Sequence, residues 1–171
     1  MDSYREETLA ALGAVEGVSG AGLAQRGAPD KWSIAEILEH LTLAYTATTR
    51  GAKRCLERGQ SLAGKPTLYQ QLAALLVVQI GYFPPGRKAP EMVKPRGADG
   101  AEVARHIKRH FEEMDDTLRF CEQRLGKGKM ADHPVLGPLT IAEWRRFHWV
   151  HTRHHMKQVR ALREIAKAAA Q

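Results

Sequence analysis

Four helix-start signals constrain this sequence of 171 residues more than any other feature. In each, a short polar residue stands three positions before a glutamate: Ser3 and Glu6, Ser33 and Glu36, Asp99 and Glu102, and Thr140 and Glu143. At this spacing, both side chains can accept hydrogen bonds from amides that are unpaired at a helix start. Stretches that alternate apolar and polar residues are nearly absent, so the sequence predicts an all-α protein.

Apolar residues at spacings of three and four predict four helices. The first runs from about Tyr4 to Val18, and the second begins after Ser33. The fourth runs from Ile141 to about Ala169. The third has the most regular stripe and is expected to end at the glycines after it; its apolar residues are Val103, Ile107, Phe111, Met114, Leu118, Cys121 and Leu125.

The connection between the second and third helices is much longer than the others. It covers about forty residues, near 59–98, and Thr67 to Gly81 within it looks like one extra apolar helix. A connection of this length allows a crossover, so these two helices need not be antiparallel neighbours. With no linker pattern in the chain, we expect residues 1–171 to form a single domain, a four-helix bundle with a long crossover between helices 2 and 3.

Composition excludes several classes of protein. With 43% hydrophobic and 26% charged residues, the chain has ordinary globular composition. No run reaches the roughly 18 consecutive apolar residues of a membrane-spanning helix. The polar, acidic start over residues 1–7 is unlike a signal peptide, and two cysteines, Cys55 and Cys121, cannot form a disulfide framework. We therefore expect a cytoplasmic protein with reduced thiols.

The net charge of +7 lies in the second half of the chain, since residues 1–85 carry equal numbers of basic and acidic groups. A basic patch can bind nucleic acid or an anionic substrate. Basic residues also collect at the carboxyl ends of helices and on solvated faces. The sequence has no recognition-helix, zinc-finger or glycine–aromatic RNA-binding pattern, so a nucleic-acid partner is the less favoured interpretation.

His151 and His155 are the strongest candidates for a functional site. They lie four residues apart on the apolar stripe of the last predicted helix, so both imidazoles can reach one metal ion. Burying them without partners would cost about 1–3 kcal/mol for each unpaired group, and a metal ion removes that cost. The alternative is a pair of histidines that solvent or core hydrogen bonds satisfy.

Other histidines provide a third ligand and a rival pair. His40, on the second predicted helix, would complete three nitrogen ligands with an open position, which is typical of a catalytic site. His106 and His110 are also four apart, but neighbouring cations disfavour a metal ion there. His148 is a candidate fourth ligand or a support for the ligands. The two remaining histidines are His154, which turns about 100° away from His155, and His133, which gives no usable signal.

Three segments resemble a known superfamily. Trp32 to Leu41 looks like the second-helix motif of the DinB/YfiT-like superfamily of metalloenzymes. His151 to Val159 resembles its last-helix motif, a histidine followed by paired histidines and then a glutamine. His133 to Thr140, followed by Glu143 and Trp144, resembles a branch described only as a domain of unknown function. The matches span most of the chain in the expected order.

The resemblance implies a four-helix bundle whose metal ligands are His40, His151 and His155. It also implies zinc or nickel as the metal and a homodimer as the assembly. Characterised relatives include thiol-dependent transferases and an isomerase that use low-molecular-weight thiols. This chain differs in having a basic last helix and no recognisable thiol-cofactor motif.

The most favoured function is therefore metal-dependent chemistry on a small molecule, of thiol transferase or hydrolase type. A thiol at the open position would lose its proton, or a bound water would attack an ester or amide. Glu36 and Glu39 are the candidates in sequence for proton transfer or for support of the ligands. Arg153 and Lys157 flank the ligands and could hold an anionic group, although solvated cations are the simpler interpretation. The alternatives are a metal-binding protein without turnover and, less favoured, a basic nucleic-acid-binding protein.

Overall fold

The structure, a computed structural model, describes residues 3–18, 20–83 and 88–169 and is mostly helical. Its helices are α1 (Ser3–Leu12), α2 (Gly20–Leu23), α3 (Ile34–Arg58), α4 (Leu68–Ala74), α5 (Gly100–Leu125) and α6 (Ile141–Ala169). Short 3₁₀ turns occupy Gly13–Val15 and Glu91–Val93, and α4 continues as a π-helix over Leu75–Ile80. None of the helices in these ranges is both long and apolar enough to cross a lipid bilayer.

Two of the predicted helix starts are complete capping boxes. The Glu36 amide donates to Ser33 Oγ at 3.2 Å, and the Ser33 amide donates to Glu36 Oε2 at 2.7 Å. Thr140 and Glu143 make the same reciprocal pair at the start of α6. At α5 only half of the motif forms: Asp99 accepts from two backbone amides. These caps fix where the helices that carry the candidate ligands begin.

The observed helices agree with most of the predicted ranges. Helices α5 and α6 match the predicted third and fourth helices, and the extra apolar helix is present as α4 and its π-helical continuation. The first helix is shorter than expected, because α1 ends at Leu12 and the chain passes into a 3₁₀ turn. Gly17 follows at a φ of 70°, a left-handed conformation that ends regular helix. The glycine-rich stretch beyond it also forms one unpredicted helical turn, α2.

A small antiparallel hairpin corrects the expectation that strands are absent. β1 (Lys129–His133) pairs with β2 (Gly137–Thr140), and His133 lies opposite Gly137. The hairpin was missed because its strands are short and the first three residues of β2 are all buried, so no alternating pattern marks it. Gly137 has a φ of 70°, and the Gln70 side chain lies 2.9 Å from where a Cβ on Gly137 would be. Glycine is therefore required at this turn.

The core lies between α3, α5 and α6. Helix α3 packs along α5, and α1 packs mainly against α6. The largest fully buried apolar side chains are Tyr45, Leu12, Ile34, Leu38, Leu41, Ile107, Met114, Leu118, Leu139, Ile141 and Met156. By contrast, α3 meets α6 partly through polar groups, including a hydrogen bond of 2.6 Å between the hydroxyls of Tyr45 and Thr152. A four-helix bundle stays a prediction, since the described helices also include the short α2 and α4.

Candidate metal centre

The structure brings together three histidines that the sequence analysis predicts as ligands: His40 from α3, and His151 and His155 from α6. We call them the histidine centre. His40 Nε2 lies 3.0 Å from His151 Nε2, and His155 Nε2 lies 3.1 Å from the same atom. One nitrogen from each ring lies within 4.8 Å of the other two, and the group can hold a metal ion.

Acceptors behind two of the rings determine which nitrogen of each ring faces inward. The Nδ1 of His40 lies 2.8 Å from the carbonyl oxygen of Val93, and the Nδ1 of His155 lies 2.8 Å from Gln158 Oε1. Both acceptors require a hydrogen on Nδ1, so each neutral ring has its lone pair on Nε2. Metal-binding histidines commonly have such an acceptor behind the ring.

Hydrogen bonds among the described residues do not satisfy this arrangement. His151 Nε2 faces two nitrogens that each carry a lone pair, and a neutral imidazole can donate only one hydrogen through that atom. His151 Nδ1 is buried and has no hydrogen-bond partner among the residues that the structure describes. A cation between the three Nε2 atoms would accept all three lone pairs. Tetrahedral zinc separates its nitrogen ligands by about 3.3 Å, close to the observed distances.

The histidine centre is shielded from water by aromatic rings. Its side chains are only 4–8% exposed. Phe83 and Phe147 stack on His151, with ring centroids 5.6 and 5.2 Å away. Trp32 packs against His40 at 4.9 Å. The three imidazoles therefore have little contact with water, and electrostatic interactions between groups buried in this way are stronger than in solvent.

Burial keeps the three rings neutral. Desolvation lowers the pKa of His40, lowers the pKa of His151 well below 6.5, and lowers the pKa of His155 to about 3. Repulsion between protonated rings at the same site lowers the pKa of His151 and His155 further. Neutral imidazoles are the form that binds a metal, so no proton has to leave before binding near neutral pH.

The structure separates the other α6 histidines from the histidine centre. His148 is fully buried and contacts Thr48 Oγ1 through Nε2 at 2.9 Å, which makes it part of the contact between α3 and α6. His154 stacks on Phe83 at 5.1 Å and accepts a hydrogen bond from the Gln158 amide nitrogen. Neither residue belongs to the group that can hold a metal ion.

The remaining histidines lie elsewhere. His133 Nδ1 accepts hydrogen bonds from the amides of Val135 and Leu136, so it caps the turn of the hairpin. His106, half-buried on α5, lies 2.9 Å from Glu102. The rival pair of His106 and His110 therefore gathers no third ligand among the described residues.

Both carboxylates proposed for proton transfer have other roles. Glu36 caps α3 and pairs with Arg26 at 2.7 Å. Glu39 is buried at 7% exposure; its Oε1 accepts from the Arg96 amide, and its Oε2 accepts from the amides of Gly97 and Ala98. Glu39 therefore holds the end of the long connection in place, immediately beside His40. Neither carboxylate contacts the histidine centre in these bonds.

Several basic residues of α6 take part in packing. Arg145 pairs with the buried Asp115 at 2.6 Å, and Arg153 lies over the Trp149 ring at 4.6 Å. Arg163 donates to the Ala14 carbonyl. Much of the basic character of this helix thus stabilises contacts within the chain rather than forming a binding patch.

Four residues that the sequence did not mark as candidates also shape the histidine centre: Val93, Phe83, Phe147 and Gln158. Val93 and Phe83 lie in the long connection, where no periodic signal predicts a contact with α3 or α6. Gln158 is the glutamine of the last-helix motif, and the motif alone assigns it no role. Its position three residues after His155 could have predicted a contact with that ring, because residues at this spacing are neighbours on a helix.

Comparisons with known proteins identify a family of unknown function, and the resemblance to the DinB/YfiT-like superfamily stays a prediction. A family described as "Protein of unknown function (DUF1569)" matches residues 4–161. The chain is 23% identical to the "Uncharacterized protein YuaE" of Bacillus subtilis (strain 168), over 99% of this chain and 100% of that protein. No solved structure matches the chain significantly. Because the family match covers nearly the whole sequence, the chain belongs to the DUF1569 family.

Proposed function

We propose that this protein binds one divalent metal ion through the Nε2 atoms of His40, His151 and His155 and uses it in chemistry on a small molecule. One observation carries the proposal: three buried Nε2 atoms converge, and acceptors behind His40 and His155 direct their lone pairs inward. Three imidazoles suit zinc, copper, iron or nickel. The resemblance to DinB/YfiT-like proteins supports zinc or nickel among these.

The residues around the ligands have defined roles in this proposal. Val93 and Gln158 fix the orientation of two imidazoles, and their hydrogen bonds make those rings stronger ligands. Phe83, Phe147 and Trp32 exclude water. When bound, the metal ion would supply a Lewis-acidic open position that lowers the pKa of a thiol or a water toward neutrality.

Thiol transfer and hydrolysis are the two reaction types that fit this chemistry. The resemblance supports a low-molecular-weight thiol as co-substrate, and it also implies a four-helix bundle that pairs as a homodimer. The composition of the chain favours a cytoplasmic location. A thiol needs only the metal to become a nucleophile. Hydrolysis usually needs a carboxylate or imidazole near the open position to accept a proton. Thiol transfer therefore requires fewer catalytic groups at the site than hydrolysis does.

A second candidate is a metal-binding protein without turnover. The observation that favours it is the engagement of Glu36 and Glu39 in capping and loop contacts, which leaves neither carboxylate oriented for proton transfer. In this version the ion would stabilise the contact between α3 and α6, since its ligands come from both helices.

Metal analysis followed by cobalt substitution tests the proposal. We expect one metal ion per chain, and a visible spectrum of the cobalt form that changes when a small thiol or imidazole is added. His40→Ala serves as the negative control and should bind no cobalt tightly. A protein without bound metal would contradict the proposal altogether. A cobalt spectrum unaffected by both additives would favour the candidate without turnover.

A further inference from the structure

Two partly exposed aromatic rings lie against the histidine centre. Trp32 packs against His40 and His155, with ring centroids 4.9 and 6.4 Å away. Phe83 stacks on His151 at 5.6 Å. The three ligands are almost fully buried, whereas both aromatic rings reach solvent. We call Trp32 and Phe83 the aromatic rim, because each ring contacts a ligand on one side and water on the other.

Local structure holds both rings of the aromatic rim in place. Trp32 directly precedes Ser33, whose capping box fixes the start of α3. Phe83 follows Gly81, which has a φ of 76° and ends the π-helix in a left-handed conformation. Phe83 also stacks on His154 at 5.1 Å, so its ring is set against α6. Rings that are positioned before binding lose little conformational entropy when a ligand packs on them.

The two basic residues that the sequence suggests for holding an anionic group do not face the histidine centre. Arg153 lies over the Trp149 ring at 4.6 Å, and Lys157 is exposed. Each stands two residues from His155, a spacing that turns a side chain about 200° around the helix. An anionic group at the aromatic rim would therefore gain no counter-ion from either residue.

Apolar side chains continue the solvent side of the aromatic rim. Tyr82, next to Phe83, is 52% exposed, and Met92, next to Val93, is 53% exposed. Residues 66–86 contain no charged side chain. Binding sites for small molecules are lined mainly by apolar and aromatic groups, with a few polar groups that fix the orientation. Here the three histidines are the polar groups, and the aromatic rim is the apolar part.

We infer that the substrate of the histidine centre carries an uncharged aromatic group, which packs against Trp32 and Phe83 while a donor atom of the same molecule takes the open position. This substrate class rests on the proposed metal site, since the donor atom needs that position. Stacked and edge-to-face ring pairs gain free energy beyond the area that they bury. A charged group would lose hydration at the same place without a compensating partner.

Comparison of two thiols on the cobalt-substituted protein tests this substrate class. Benzyl mercaptan carries an aromatic ring and 2-mercaptoethanesulfonate carries a sulfonate, while their thiol groups have similar acidity. Titrations followed by the visible spectrum should give a dissociation constant about tenfold lower for benzyl mercaptan, because its ring packs against the aromatic rim. Phe83→Ala and Trp32→Ala, measured separately, should each reduce this preference to below about threefold, with one cobalt ion still bound per chain.

Phe120→Ala is the matched control, because it removes a half-exposed ring on α5 that is not part of the aromatic rim. Its preference should equal that of the unmodified protein. If the unmodified protein binds cobalt and responds to both thiols but binds the sulfonate as tightly, the substrate class is wrong and the metal site stands. A preference that neither Phe83→Ala nor Trp32→Ala lowers would overturn the role of the aromatic rim in the same way. A protein that binds no cobalt would overturn the proposed metal site, and the substrate class with it.

Discussion

Two buried polar clusters in this protein differ in how completely the chain satisfies them. The Asp115 cluster joins Asp115, which is 2% exposed on α5, to Arg5, Arg119 and Arg145. The carboxylate lies 3.1, 3.3 and 2.6 Å from these three guanidinium groups in that order. Its charge is compensated by basic groups from α1, α5 and α6 of the same chain.

The histidine centre has the opposite character. It contains three neutral histidine rings from α3 and α6. Their Nε2 atoms lie close together, but these nitrogens carry too few hydrogens for every lone pair to accept a hydrogen bond. Buried polar groups in folded proteins are normally hydrogen-bonded, so an unsatisfied set calls for an explanation such as metal binding. Burial alone therefore does not mark a functional site. The informative signal is burial together with unmet bonding capacity.

Removal of Asp115 should give the largest effect. Asp115→Ala leaves three arginines without their buried partner and should lower the free energy of unfolding by about 3–5 kcal/mol, measured by urea denaturation. Metal content should not change. Asp116→Ala is the matched control: Asp116 also pairs with Arg5, but its side chain is 63% exposed, and the loss should be below about 1 kcal/mol. Equal losses in both variants would remove the distinction between the clusters.

Removal of a histidine should affect metal binding and not the fold. His155→Ala leaves two nitrogen ligands and should abolish tight metal binding. A chelator should lower the melting temperature of the unmodified protein, because an ion at a hundredfold excess over its dissociation constant stabilises by about 2.7 kcal/mol. It should not affect the variant. Both proteins should stay helical without metal, since a chain of this length buries an adequate core. A variant that kept one tightly bound ion would contradict the three-histidine site.

Acid should destabilise the metal-free protein through its buried histidines. Burial lowers the pKa of His155 and His148 to about 3, whereas in the unfolded chain they titrate near 6.5. The unfolded state binds more protons between these values, so the free energy of unfolding falls as the pH drops from 6.5 towards 3. Each such histidine contributes up to about 1.4 kcal/mol per pH unit. His155→Gln should reduce the slope, as measured by urea denaturation at several pH values. A metal-free protein equally stable at pH 7 and pH 5 would contradict this.

Loss of the acceptor behind His155 should have a smaller effect. Gln158→Ala frees His155 Nδ1 and should weaken metal binding by about tenfold in a competition titration, with an unchanged melting temperature for the metal-free protein. His154→Ala is the control: it removes the other contact of the Gln158 side chain and keeps the acceptor in place. If both variants bind metal as tightly as the unmodified protein, Gln158 does not orient the ligand.

The rival histidines should have no effect on metal binding. His106 and His110 are half-buried on α5, away from the histidine centre. Replacement of both by glutamine should therefore leave the metal stoichiometry at one ion per chain. Loss of the ion would show that the ligands had been assigned to the wrong pair.

Local signals account for what could be predicted from the sequence. Capping boxes at Ser33 and Thr140 predicted the starts of α3 and α6, and the i, i+4 spacing placed His151 and His155 on one face. These features depend on residues that are close in the chain. His40 was a candidate third ligand from its place on the second predicted helix, and the family resemblance then assigned it as a ligand.

The rest depends on contacts between distant residues. The Val93 carbonyl reaches His40 across 53 positions, and no spacing rule connects them. The hairpin was not predicted because one of its two strands, β2, is nearly continuously buried and shows no alternating pattern. The early end of α1 reflects the glycines that follow it, whose effect the apolar stripe did not reveal. Such features arise from packing, which overrides local propensity.

The hydrogen bonds between α3 and the long connection have a consequence for amide hydrogen exchange. Consecutive residues, Glu39 and His40, hold opposite ends of the stretch from Val93 to Ala98. The amide hydrogens of residues 96–98 donate to the Glu39 carboxylate, so they exchange with deuterium only when this stretch opens. An ion that immobilises His40 should make opening rarer and slow that exchange. The exchange rates of the amides of residues 96–98, which are not metal ligands, would then measure the fraction of the protein that has bound a metal ion.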